Sequence, residues 1–217
     1  MTAVQQWWGG VFAPTDIPAT TFFLEDFENG LGLYTTVSGN PALWHLVESP
    51  YGATCLRMDV ATGGTVNRIT RPIPAIEFNR MQVKFRITSL NTDDSGILRL
   101  YNGGSEVCLI EPARETFYDA QKRIWVKVAA SEGSPYAIGS THIDVGTWYR
   151  ATFSWLGGSS GVHIVIADAD TGDVFIDYTR PGTFALPTAT LLDLRDDPTL
   201  GSSPTEWDDI YLYTEGL

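Results

Sequence analysis

Residues 80–88 read RMQVKFRIT. Met81, Val83, Phe85 and Ile87 alternate with Arg80, Gln82, Lys84, Arg86 and Thr88, so every second side chain is apolar. Period two sustained over such a run fits a strand with one buried and one wetted face. Other segments repeat the habit: TTFFLEDF (20–27), ALWHLVE (42–48), ATCLRMDVA (53–61), TVNRITRPI (65–73), GILRLYN (96–102) and EVCLIE (106–111). Further along come RIWVKVAA (123–130), TWYRATFSWL (147–156), VHIVIADA (162–169), DVFIDYT (173–179), TATLLDL (188–194) and EWDDIYLYT (206–214). Turn formers separate them, among them GN at 39–40, GG at 63–64 and 103–104, GGSSG at 157–161 and DADTGD at 168–173. The best helix candidate is ARETFYDAQK, 113–122, and it is short.

So many one-sided strands must bury their apolar faces against one another. The expected fold is all-β, an antiparallel two-sheet β-sandwich of the jelly-roll kind. A chain of 217 residues buries enough surface to need neither disulfide nor metal for its core. Residues 1–19 stand apart. They carry Trp7, Trp8 and Phe12 with Gly9, Gly10, Pro14 and Pro18, and lack strand alternation. They read as an extended N-terminal arm ahead of a sandwich domain at 20–217. Trp7, Trp8 and Phe12 are costly in water and are expected to pack on this domain or on a neighbouring subunit.

The formal net charge of −12 repels phosphate backbones and argues against nucleic acid as a partner. It admits cations and neutral ligands such as sugars. Cys55 and Cys108 each sit among apolar residues and read as buried free thiols. No stretch approaches the roughly 20 apolar residues of a membrane span, so no membrane insertion is expected. The first residues lack the basic region and apolar run of a signal peptide, so the chain is expected to fold in the cytoplasm of the cell that makes it.

Acidic residues cluster near both ends of the strand-rich region. LEDFENG holds Glu25, Asp26 and Glu28, and EWDDIYLY holds Asp208 and Asp209. Under strict alternation Asp208 shares a face with Ile210 and Leu212, and Asp209 with Trp207, Tyr211 and Tyr213. One of the two is then expected among apolar neighbours, where it needs a pair, hydrogen bonds or a metal.

DVGTWYRATFSW (144–155) and GGSSGVHIVIADADTGDVFID (157–177) resemble the strand pair of laminin-G-like and concanavalin A-like sandwiches. DFENGLG and WDDIYLY resemble the first and last strands of MAM domains and of calcium-containing carbohydrate-binding jelly rolls. The resemblance implies a concanavalin A-like sandwich whose first and last strands run side by side. It also implies a seam where Asp26, Glu28, Asp208 and Asp209 hold a structural calcium ion, a cation that takes six to eight oxygens in irregular geometry.

That superfamily includes glycoside hydrolases and polysaccharide lyases. The hydrolase signature, a strand E-x-D-x-(x)-E, is incomplete here: DFE at 26–28 lacks the third acid, and DAD at 168–170 reads as a turn. His45, His142 and His163 are scattered, and neither G-x-S-x-G nor H-E-x-x-H occurs. No catalytic residue is expected. Tyr101, Tyr118, Trp125 and Tyr136 are the candidates for a sugar-binding surface, since saccharides rest on flat aromatic faces. With its arm, the chain is similar to bacteriophage tail, fibre or decoration proteins. The likeness implies a non-enzymatic virion subunit, made in the host cytoplasm, with other virion subunits or copies of itself as partners and a host-surface glycan as ligand. The alternatives are a polysaccharide-active enzyme of the same fold and a free-standing carbohydrate-binding module.

Overall fold

The computed structural model describes residues 21–59, 66–89, 94–116, 119–128, 136–138, 144–196 and 202–215; at 21, 94–95, 113–116, 119–128, 136–138 and 202–203 only the backbone is described. The strands in chain order are β1 (Thr21–Glu25), β2 (Thr35–Ser38), β3 (Trp44–Glu48), β4 (Thr54–Met58), β5 (Arg68–Glu77) and β6 (Arg80–Ile87). Then follow β7 (Asp94–Ser95), β8 (Ile97–Asn102), β9 (Ser105–Thr116), β10 (Asp119–Val128), β11 (Tyr136–Ile138) and β12 (Trp148–Trp155). The last are β13 (Val162–Asp168), β14 (Val174–Arg180), β15 (Thr188–Arg195), β16 (Ser202–Ser203) and β17 (Thr205–Tyr213). Among the described residues the one helical piece is a 3₁₀ turn, Pro41–Leu43, capped by Asn40, whose side chain accepts from the Ala42 amide.

The strands form two antiparallel sheets. The eight-stranded sheet runs β14-β13-β12-β6-β17-β4-β3, with β1 also paired to β17. The seven-stranded sheet runs β11-β10-β9-β8-β15-β5-β2. β16 and β7 add a short parallel pair. This is the expected sandwich. The helix candidate at 113–122 is corrected: its residues 113–116 lie in β9 and 119–122 in β10, and the two strands pair. Cross-strand pairing outweighs the weak local helix preference of so short a segment.

The β6 alternation is realised fully. Met81, Val83, Phe85 and Ile87 are wholly buried, and the residues between them are half-buried. They meet Leu98, Leu100, Ile110, Leu192 and Leu194 from the other sheet in one core. Gly96 lets the sheets close at one corner: a Cβ there would stand 2.6 Å from the Met58 methyl carbon and 3.1 Å from Trp207 Nε1. Cys55 and Cys108 are free and buried. Burial pushes the Cys55 thiol up to about 12, which removes it from thiolate chemistry.

β17 is buried along its whole length. β6 flanks it on one side; on the other, β4 pairs with its first three residues and β1 with its last four. Where the partner changes, a bulge interrupts the register with β6 and Asp209 takes a left-handed backbone, φ 48°. The bulge lets Trp207 and Ile210, three residues apart, both enter the core.

Among the described residues one ion pair crosses between the sheets. Arg71 of β5 meets Glu25 of β1, which also accepts from the Tyr34 hydroxyl at 2.9 Å and the Phe27 amide at 3.0 Å. The Arg71 guanidinium lies over the Phe23 ring, 5.0 Å from its centroid. Removing one partner of a buried pair orphans the other. Glu25→Ala should cost about 3 kcal/mol in denaturant unfolding, the low end for such pairs because Arg71 keeps some contact with water. The double variant Glu25→Ala/Arg71→Ala should recover part of that loss, whereas additive losses would show that the two side chains act independently.

Candidate functional site

The first and last strands do run side by side, and the acids gather around their junction. Each is already occupied. Glu28 accepts from the backbone amides of Ala53 at 2.5 Å and Thr54 at 2.9 Å, in space that a side chain at Gly52 would fill. Asp26 accepts from the Glu28 amide at 3.2 Å in a local turn. Asp208 accepts from the Ser49 hydroxyl and from the Asp209 amide. Asp209 takes the Lys84 ammonium at 2.6 Å. The same ammonium sits 3.7 Å from the centroid of Tyr51, whose hydroxyl donates to Asp170 and whose ring meets Trp148 edge-on. These contacts lash the β3–β4 loop to β17. Strict alternation placed one of Asp208 and Asp209 among apolar residues; the bulge instead gives both of them polar partners.

The residues do not fit a calcium cage. Lys84 already supplies the positive charge at Asp209, and Glu28 is spent on amides. Among the described residues no three His, Cys, Asp or Glu side chains stand where they could share a metal ion.

The second cluster lies on the outward face of the seven-stranded sheet. Leu192 and Leu194 of β15, Leu98 and Leu100 of β8, and Ile69 of β5 point into the core. Alternation therefore sends Asp193 and Arg195, Arg99 and Tyr101, and Arg68 outward. Register brings them together: Arg195 stands opposite Arg68, and Asp193 opposite both Arg99 and Thr70. Arg68 donates to Asp193 Oδ2 through Nε at 3.0 Å and Nη2 at 2.8 Å. Arg195 Nη2 approaches the same oxygen at 3.7 Å and donates to the Tyr101 hydroxyl at 2.9 Å. Arg99 donates to Glu106 at 3.0 Å. Asp193 has no exposed surface although its strand position faces outward, because arginines stand on three sides of it. Its Oδ1 and the Nε atoms of Arg99 and Arg195 are buried and find no hydrogen-bond partner among the described residues.

Of the four aromatic candidates, Tyr101 lies in this cluster. Trp125, opposite Glu111, and Tyr136, opposite Val126, belong to strands of the same sheet. Tyr118 lies outside the described residues, as do Trp7, Trp8 and Phe12 of the expected arm. The arginines escape a reading of the sequence because a charge on an alternating strand reads as an ordinary wet face. A signal was present in LRLYN and LLDLR, where the outward positions are Arg, Tyr, Asp and Arg in place of the usual Thr, Lys and Glu.

Burial, reinforced by the neighbouring Asp209 charge, pushes Asp208 up from 3.8 to about 7. The folded chain therefore holds this proton more tightly than the unfolded chain. That stabilisation is complete below about pH 4 and is lost as pH rises through about 7, a change of about 4 kcal/mol. Asp208→Asn should gain thermal midpoint on the wild type between pH 4.5 and pH 8; a constant gap would show that Asp208 titrates normally. Melts in calcium and in chelator should superimpose, and a rise in calcium would restore the expected cation seam.

No protein-family model matches the chain, and no curated protein matches it in sequence. Its fold is similar to several solved structures. The VIP36 exoplasmic/lumenal domain in its Ca2+/Man3GlcNAc-bound form superposes with TM-score 0.54 at 13% identity, covering 82% of this chain and 86% of that one. Lectin II from Ulex europaeus gives TM-score 0.58 at 10% identity, covering 89% and 99%. A putative beta-glucanase from Mycobacterium abscessus gives 0.52 at 12% identity, covering 89% and 100%. At these identities the likeness is one of fold: the chain is a jelly-roll sandwich of the kind shared by concanavalin A-like lectins and glycosidases.

Proposed function

We propose that this chain is a lectin-like module that binds a glycan on the outward face of its seven-stranded sheet and does not transform it. The observation that carries the reading is the cluster of Arg68, Arg99 and Arg195 around buried Asp193, with Tyr101 beside it. Saccharides are held by fixed planar donors and acceptors next to an aromatic face. The cluster supplies donors in excess, locked by one another and by strands and not by a loop. The VIP36 domain and the Ulex lectin share this fold, which supports a binding role. The polysaccharide-active alternative draws its support from fold matches to glycan-active enzymes, the beta-glucanase among them. The expected virion role, with its cytoplasmic synthesis and subunit partners, rests on the arm at 1–19, outside the described residues. No feature of the sandwich favours it, so the proposal stops at the binding module.

On a panel of immobilised glycans the protein should retain at least one saccharide. Tyr101→Ala should weaken that binding about tenfold, the loss of about 1.4 kcal/mol that an aromatic contact supplies. Equal affinities for variant and wild type would place the site elsewhere.

A further inference from the structure

We infer that the glycan held on this face is acidic, a uronate whose carboxylate docks on the guanidinium groups of Arg99 and Arg195. The inference rests on the glycan-binding reading and names its ligand class.

Charge is the first ground. Among the described residues three arginines face two carboxylates, Asp193 and Glu106, so these five side chains carry a formal surplus of one positive charge on a chain whose net charge is −12. One carboxylate balances that surplus, whereas a doubly charged phosphate would leave an excess negative charge beside Asp193 and Glu106.

Geometry is the second ground. A guanidinium carries five N–H donors in a planar fork that matches a carboxylate. Arg99 and Arg195 spend only part of theirs on Glu106, Asp193 and Tyr101, and both keep a solvent-exposed edge, at 23% and 20% of the side chain. The Nε atoms, partnerless among the described residues, show that the resident acids leave these arginines incompletely matched. A carboxylate entering from solvent lets both forks turn and pair.

Complementarity is the third ground. Among the described residues Asp193 Oδ1 lacks a donor, and the Nε atoms of Arg99 and Arg195 in the same cluster lack an acceptor. A ligand that both accepts and donates serves both, and a uronate does so through its carboxylate and its hydroxyls. Tyr101 supplies the ring face beside them.

Calorimetric titration with trisaccharides of galacturonate, glucuronate and mannuronate, and with their neutral hexose counterparts, tests this. The wild type should bind at least one uronate tenfold or more above its neutral counterpart, and the preference should fall as salt rises. Arg99→Gln and Arg195→Gln should abolish the preference. Glu106→Gln releases Arg99 and should tighten uronate binding severalfold, a gain that misfolding cannot mimic. A preference that survives both arginine variants overturns the inference, as does binding of neutral sugars without any preference for the acid; in the latter case a Tyr101-dependent neutral affinity leaves the glycan-binding reading standing. Absence of binding to every saccharide overturns both.

Discussion

Two-sided burial of the last strand organises this molecule. β17 is central to its sheet, covered on both faces, and it hands one edge from β4 to β1 halfway along. A strand in that position must supply apolar residues to the core and satisfy every polar group it places on the other face. The bulge at Asp208–Asp209 reconciles the two demands. It keeps Trp207 and Ile210 inward across a three-residue step and delivers two adjacent carboxylates to Ser49 and Lys84. The acid-rich seam is thereby a set of internal ties between the β3–β4 loop and the sheet, with a lysine standing where a cation was expected.

Much of the fold was legible because most strands obey a local rule. β6 shows it best: its alternation can be read without knowing any partner, and the sandwich follows from repeating it. The failures share one cause, information held by residues distant in sequence. ARETFYDAQK looks helical alone and becomes a hairpin through pairing between β9 and β10. Glu25 gains its meaning from Arg71, on the opposite sheet. Alternation misassigned Asp208 and Asp209 because a bulge shifts the period by one residue without a glycine to announce it. The arginine cluster around Asp193 needed the register of β5, β15 and β8, which no single segment contains.

The two polar clusters differ in a way that separates their roles. At the seam each acid has found a donor within the chain. On the seven-stranded sheet the pairings are incomplete, with buried donors and a buried acceptor left over. Folded proteins leave few such groups unsatisfied, and on the eight-stranded sheet those left over among the described residues are the indole nitrogens of Trp44, Trp148 and Trp207, not charged groups.

The pairing of β1 with β17 has a consequence for how the chain reaches this structure. β1, β4 and β6 all wait for one neighbour, and that neighbour is translated after all three. Until it arrives, three strand edges stand open and the eight-stranded sheet is split into three parts. Closing contacts between the two ends of a chain is slow, because the entropy of a long loop is lost before any contact rewards it. Between the translation of β6 and that of β17 these edges are open to pairing with other chains, the hazard that unpaired edges carry.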